Sequence, residues 1–350
     1  MGGKKLKKIA FCITCMNRLS HIQQTLEKNI LDNFLPDKVE FVLLDYNSTD
    51  DLEEWIKTQQ YFINIGILSY YKTDIPTDYQ RSHSRNMAFR LASAEVVCNL
   101  DADNFLGDGF AEYILNEFEK YSEEQIFITS SFQNMDAFGR VCLRACDFYK
   151  IRGYNELLTG YGNEDTDLFY RLQQLGLQLK LFWNEKFCRA IQHSYLERIV
   201  NEQRYKQLDS LYLAYESPLK ILFLILYKDG MFESGRLINN KLCNFNNNKH
   251  FENIIDLFYD EISRITLDSP LIKEKWKFEN DVIITVNDSL FYKIQDEKII
   301  AEFIANLSNA DNFETIQKIK NNHGVIVNPI GFGQGIVYKN FDYSNSIILD

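Results

Sequence analysis

Val96-Val97-Cys98-Asn99-Leu100-Asp101-Ala102-Asp103 runs from a short apolar strand straight into two carboxylates two residues apart. On an extended backbone, residues i and i+2 point to the same side, so Asp101 and Asp103 can reach one cation or one cation-bridged diphosphate. An isolated Asp-x-Asp also occurs in ordinary turns. Its weight here comes from company: Glu164-Asp165-Thr166-Asp167 follows Gly160-Tyr161-Gly162-Asn163, and His193 ends a further apolar stretch.

Outward from this stretch, strand and helix alternate. Residues 9–13, 39–44, 67–71 and 96–100 are apolar runs of strand length, while 20–30, 50–57 and 84–94 carry apolar residues at helical spacing. The alternation predicts an α/β fold, a mostly parallel sheet with helices on both faces, whose ligands bind at the carboxyl ends of the strands. Thr14-Cys15-Met16-Asn17-Arg18, Asp45-Tyr46-Asn47-Ser48 and Asp101-Ala102-Asp103-Asn104 all fall at those ends. Loop polarity explains each cluster singly, but less well the recurrence of acidic, amide and guanidinium groups in all three.

A chain of 350 residues exceeds what one core usually supports, so a large domain over residues 1–205 and a smaller one over 206–350 are expected. The smaller domain reads as helical and then α+β. Residues 208–228 and 251–265 are expected as helices, 244–248 as an Asn-rich loop, 282–286 and 325–327 as strands, with helices between 297 and 321. Gly331-Phe332-Gly333-Gln334-Gly335 fits neither dinucleotide nor P-loop spacing and reads as a turn.

Asp plus Glu number 49 against 38 Lys plus Arg, a net charge of −11 with no basic stripe, which excludes nucleic acid as an expected partner. The longest apolar run, Ile221-Leu222-Phe223-Leu224-Ile225-Leu226-Tyr227, is far too short to span a membrane, and the brief apolar stretch at Ile9, without a small-residue cleavage site, is not expected to follow a secretory leader. Lys4-Lys5-Leu6-Lys7-Lys8 offers at most a weak attraction to an anionic surface. Seven cysteines, an odd number spread mostly through apolar strands, fit reduced core residues of a cytoplasmic protein, and Cys12-x-x-Cys15 has no second pair at zinc spacing.

The order Thr14-Cys15-Met16-Asn17-Arg18, Asp45-Tyr46-Asn47-Ser48-Thr49-Asp50, Ser84-Arg85-Asn86, Asp101-Ala102-Asp103-Asn104, Gly160-Tyr161-Gly162-Asn163-Glu164-Asp165 and His193-Ser194 resembles a GT-A glycosyltransferase of the family 2 type, with its Rossmann-like sheet. The later motifs are similar to the galactosyltransferase and N-acetylgalactosaminyltransferase branch. The resemblance covers about residues 9–204. It implies inverting transfer of a hexose or N-acetylhexosamine from a UDP-sugar to a glycan, lipid-linked or peptide acceptor, in bacterial polysaccharide or glycoconjugate synthesis. Mn²⁺ is the implied cofactor, with Mg²⁺ as the alternative. The implied location is the cytoplasm, with peripheral contact at the inner face of the membrane, and homodimerisation is one role open to residues 206–350.

By the same resemblance Asp103 bonds the metal, Asp101 contacts ribose or metal-bound water, and His193 is the metal-binding imidazole, which favours Mn²⁺ over Mg²⁺. Asp165 is the implied base and Glu164 the acceptor-holding carboxylate. Thr14, Asn17 and Arg18 would bind base and ribose, Asp45 uracil, and Arg85 the base or diphosphate. Tyr161 and Gly162 lie in a loop that would close over the donor, its aromatic stacking on a sugar. The chemistry agrees: a leaving diphosphate needs neutralising, and an attacking hydroxyl must give up its proton to a carboxylate whose affinity a neighbouring acid raises. Acidic residues also suit the first turn of a helix after Asn163, and both roles can hold together.

The chain departs from the branch at Tyr161 and Asn163, where Trp and Gly are common. Galactose and N-acetylgalactosamine lead as donor sugars, with glucose and N-acetylglucosamine open. The alternative is a GT-A-like module that binds nucleotide sugars or glycans without turnover. A nucleotidylyltransferase is disfavoured because residues 14–20 contain no Gly.

Overall fold

The computed structural model describes residues 7–122, 124–131, 135–217, 220–238, 263–266, 277–279, 281–284, 290–321 and 326–350. The chain forms two compact units. The first comprises Met1–Thr159, Asn163–His193 and Thr315–Asp350, the second Gly160–Gly162 and Ser194–Glu314.

In the first unit the expected alternation is present: Lys7–Cys15 (β1), Leu19–Asp32 (α1), Val39–Tyr46 (β2), Leu52–Lys57 (α2), Gln60–Asn64 (α3), Leu68–Thr73 (β3), Arg81–Leu91 (α4), Ala94–Asn99 (β4), Phe110–Lys120 (α5), Ile126–Ser130 (β5), Cys142–Arg144 (β6), Ala145–Lys150 (α6), Glu164–Gln174 (α7) and Gln178–Phe182 (β7). The period of two along β1 explains why it is central: Ile9, Phe11 and Ile13 enter one core, and Ala10 and Cys12 enter the other. Ile22 and Leu26 of α1 and Phe110 of α5 cover the first face, while Met87 and Phe89 of α4 cover the second.

A nine-stranded sheet results, in the order β16-β15-β3-β2-β1-β4-β6-β5-β7. β3, β2, β1 and β4 run parallel to one another, β6 is antiparallel to both β4 and β5, and β5 is parallel to β7. β4, β5 and β7 therefore point the same way and end at one edge. The two last strands, Gly335–Lys339 (β15) and Asp342–Leu349 (β16), extend this sheet antiparallel beyond β3, where Phe341 stacks on Tyr70 with ring centroids 5.0 Å apart. Gly331 to Gln334 form no helix, as expected for a turn.

The second unit contains Tyr195–Ile199 (α8), Gln203–Gln207 (α9), Leu208–Ser217 (β8), Lys220–Tyr227 (β9), Met231–Ile238 (β10), Ser263–Thr266 (β11), Lys277–Glu279 (β12), Val282–Ile284 (β13) and Leu290–Lys293 (β14), together with the start of Glu297–Asn321 (α10), which ends in the first unit. Its seven strands form an antiparallel sheet, β11-β10-β9-β8-β14-β13-β12. The helix expected over 208–228 is instead the pair β8 and β9. Both faces of the pair are covered: Leu211, Phe223 and Ile225 meet Ile304 and Leu307 of α10, while Tyr212, Leu224 and Leu226 meet Phe232 and Phe291. A strand buried on both faces loses its alternation and reads as an unbroken apolar run, which spacing alone cannot separate from a helix.

Of the strand expected over 282–286, Val282–Ile284 forms β13 and residues 285 and 286 lie outside the described residues, while one helix, α10, fills the span between 297 and 321. Ser263–Thr266 is a strand rather than the end of the helix expected over 251–265; the rest of that span, and 244–248, lie outside the described residues. Ile326 and Val327 are not in a strand, and Val325 is outside the described residues. Among the described residues every cysteine is free. No helix there is long and apolar enough to cross a membrane.

Candidate functional site

Arg85 organises the carboxyl edge of the first sheet. It sits on α4, 4 % exposed, and its guanidinium donates to Asp165 Oδ1 at 2.9 Å, Glu164 Oε1 at 3.2 Å and Asp101 Oδ1 at 3.0 Å. Carboxylates from β4's end and from α7's first turn thus meet on one cation. Arg81, one turn earlier on α4, approaches Glu164 Oε1 at 3.6 Å. Tyr154 lies beneath, its ring 5.3 Å from the Arg85 guanidinium and its buried hydroxyl without a hydrogen-bond partner among the described residues.

Three carboxylates against these guanidinium groups leave an excess of negative charge in a desolvated place. The chemical consequence falls on Asp165. Burial pushes its carboxyl up to about 7, with Glu164 and Asp101 adding to the rise and Arg85 opposing it. Burial depresses Arg85's charged form, but Asp165 and Asp101 outweigh that and hold it protonated. The approach of Asp165 is close: a Cβ on Gly139 would stand 2.9 Å from Asp165 Oδ2, so a larger residue there would push the carboxylate aside. Asn99 fixes Asp101 from below, donating to its Oδ1 at 3.1 Å and to the Gly139 carbonyl at 3.0 Å.

Asp103 faces elsewhere. Its Oδ2 is in direct contact with His193 Nε2, and its Oδ1 accepts from Asn104 Nδ2 at 2.9 Å. Burial raises the Asp103 carboxyl, yet the bond to His193 and the imidazole charge outweigh this, and the group stays below the ordinary carboxylate value. The two segments are zipped together, with Ile191 N–H donating to the Asp103 carbonyl at 2.9 Å and Phe105 N–H to the Arg189 carbonyl at 2.9 Å. His21 of α1 meets the His193 ring edge-on at 5.7 Å. Arg140, 1 % exposed, braces the same loop through Asn104 Oδ1 at 2.8 Å and the carbonyls of Phe105 and Phe187.

Of the three expected metal ligands, Asp103 and His193 are together, while Asp101 is turned to Arg85. Among the described residues no three or more His, Cys, Asp or Glu side chains gather as a metal cage. A carboxylate oxygen and an imidazole nitrogen on one spot nevertheless form a donor pair that fits a divalent transition ion, provided that substrate oxygens and water complete its shell.

The loops after β1, β2 and β3 are laced together. Asn17, at φ 56°, accepts from Thr49 N–H at 2.7 Å and takes Ser48 Oγ on its own N–H at 3.1 Å. Asn47 donates to the Pro76 carbonyl at 2.8 Å, and Thr14 Oγ1 pairs with Tyr79 OH at 2.9 Å. Arg18 occupies the N-cap position of α1. Asp45 is 1 % exposed, accepting from Ser48 N–H at 2.8 Å and Tyr70 OH at 2.7 Å, and burial raises its carboxyl. Its side chain holds the loop together from inside.

Tyr161 and Gly162 belong to the second unit. There Arg198 donates to Tyr161 OH at 2.6 Å, and Asn312 of α10 donates to the Gly162 carbonyl at 2.7 Å. Asn163, which follows, takes φ 69°, a conformation Asn tolerates where Gly is usual. Arg81, Asn99, Gly139, Arg140 and Tyr154 are site residues that sequence reading missed. Only Arg81 carried a visible cue, one turn from Arg85 on the same helix face.

Residues 10–199, more than half the chain, match the family model "Glycosyl transferase family 2". No curated protein matches. Similar solved structures include the mannosyltransferase PcManGT from Pyrobaculum calidifontis in complex with GDP-Man and Mn²⁺, at 15% identity over 52% of this chain and 56% of that one, TM-score 0.43. Another is S. aureus TarS 1-349 in complex with UDP-GlcNAc, at 14% identity over 54% of this chain and 63% of that one, TM-score 0.40. The chain thus covers between about half and two thirds of the length of these structures. The match over residues 10–199, on an α/β sheet that gathers these polar groups at its carboxyl edge, places the chain in glycosyl transferase family 2.

Proposed function

We propose that the protein transfers a hexose or N-acetylhexosamine from a UDP-sugar to a carbohydrate, lipid-linked or peptide acceptor by single displacement. The observation that carries this is the Arg85 cluster, which holds Asp165 as a buried carboxylate with raised proton affinity beside Glu164 and Asp101. Such a group takes a proton from an attacking hydroxyl at neutral pH. Glu164, whose buried Oε2 has no hydrogen-bond partner among the described residues, is assigned to the acceptor. Asp101 and Arg85 orient the donor, and Asp103 with His193 hold Mn²⁺ or Mg²⁺. A divalent ion there would act as a Lewis acid on the leaving diphosphate. UDP-galactose and UDP-N-acetylgalactosamine are the first donors to test, then UDP-glucose and UDP-N-acetylglucosamine. Residues 206–350 are assigned to acceptor choice or self-association, and the site of action to the cytoplasm at the inner membrane face.

Calorimetry of UDP binding tests the ion-dependent part. Asp103 and the diphosphate repel one another unless a cation bridges them, so affinity should fall at least about tenfold in chelator, equivalent to about 1.4 kcal/mol. Asp103→Ala should show the same loss with Mn²⁺ present. Equal affinity with and without the ion removes the metal assignment.

The pH profile provides a second check. Asp165 works as a base only once it has lost its proton, so kcat/KM should rise about tenfold per pH unit below about 7 and level off above it. Asp101→Asn removes a like charge from the cluster and should move the acid limb to lower pH. A limb that stays near the ordinary carboxylate range in the unmodified protein contradicts the role of Asp165.

A further inference from the structure

Three strands along from β4, at the same edge of the sheet, Trp183 follows the end of β7 with 60 % of its surface exposed. Its indole makes no hydrogen bond or ring contact with any described residue. It lines an open groove of about 480 Å³ whose opposite wall is the first two turns of α5. Glu112 and Asn116 lie one helical turn apart on that wall, with Tyr113 beside them and Asp108 just before the helix. None of the Asp108, Glu112 and Asn116 side chains has a partner among the described residues. The walls are pressed together at their base, where Gly107 at φ 79° passes so near the Lys186 carbonyl that a Cβ would collide with it.

We propose that this groove binds a carbohydrate chain. A sugar ring has one face of C–H groups and a rim of hydroxyls. An exposed indole offers a flat apolar plate for the first, and carboxylates with carboxamides offer acceptors and donors for the second. Asp108 and Glu112 outnumber the one lining cation, Lys186, whose ammonium lies over the Phe187 ring, and so disfavour a phosphate-bearing ligand. Trp183 is the single large exposed apolar side chain of the groove, too little for a protein hot spot, which wants a fully desolvated apolar centre. Three strand spacings of about 4.8 Å put the groove about 14 Å along the sheet edge from β4. A glycan of a few sugars with one end at Asp165 could lie toward it, so the groove would hold the distal part of an acceptor.

This last step rests on the transfer reading, but carbohydrate binding at Trp183 does not. The full-length protein is titrated, without donor, with cellohexaose, maltohexaose and chitohexaose, following tryptophan fluorescence and confirming by calorimetry. At least one hexasaccharide should bind and should bind about tenfold or more weakly to Trp183→Ala, with Trp183→Phe intermediate and Asn116→Ala also weakened. UDP affinity should be the same in all four proteins, which controls for folding. If no hexasaccharide binds, or Trp183→Ala binds them as well as the unmodified protein, the groove is not a glycan site, and the transfer reading stands untouched. Failure of donor turnover with binding intact overturns only the transfer reading.

Discussion

Asp165→Asn is expected to lower sugar transfer by about 10²- to 10⁴-fold, the usual worth of a positioned general base, while UDP-sugar affinity stays within a few-fold. The substitution keeps the size of the side chain and one hydrogen-bonding oxygen, and it takes away the proton acceptor. The 2.9 Å bond from Arg85 can still form to the amide oxygen, so the geometry of the cluster should survive. Glu164→Gln should instead raise KM for the acceptor more than it lowers kcat, because Glu164 is assigned to holding rather than to proton transfer. Transfer by Asp165→Asn at the unmodified rate would remove it as the base.

Arg85→Met should destabilise the fold by about 3–5 kcal/mol, the range seen when one partner of a buried ion pair is deleted. Three carboxylates now share one guanidinium at 2.9 to 3.2 Å. Without it the buried Asp165 and Glu164 and the half-exposed Asp101 face one another with only Arg81, on Glu164, nearby. Mutual repulsion raises their proton affinities, so the folded variant binds protons more tightly than its unfolded chain, and stability must fall as pH rises through the carboxylate range. Urea unfolding at pH 8 and pH 5 checks this. The deficit should be full at pH 8 and clearly smaller at pH 5, and a deficit equal at both would mean that Arg85 contributes packing on Tyr154 rather than charge.

Much of this site was legible in the sequence because its parts sit where strands end. The run 96–100 fixed β4, the spacing of Asp101 and Asp103 placed both at its carboxyl end, and the acidic pair Glu164-Asp165 marked the first turn of α7. Partner choice within the cluster was not legible. Whether Asp101 joins His193 or Arg85 depends on the register between β4 and the segment before His193 and on where α4 crosses, and neither leaves a local pattern. Arg140 and Gly139 act through contacts with residues tens of positions away. Asp45 follows β2 as expected, but its partners, Tyr70 OH and Ser48 N–H, were not legible either. In the second unit the β8–β9 pair escaped for the opposite reason: two cores on its two faces erased the alternation that marks a strand.

The central claim is a single displacement at an anomeric carbon with Asp165 as base, and the first-formed sugar reports on it without knowledge of the natural acceptor. Protein, Mn²⁺ and a UDP-sugar turning over slowly to water, observed by proton NMR before the free sugar mutarotates, should show the β anomer first from an α-linked donor. UDP should be released in step, and both signals should be lost in Asp165→Asn. An α anomer formed first, or equal turnover in Asp165→Asn, would contradict the account.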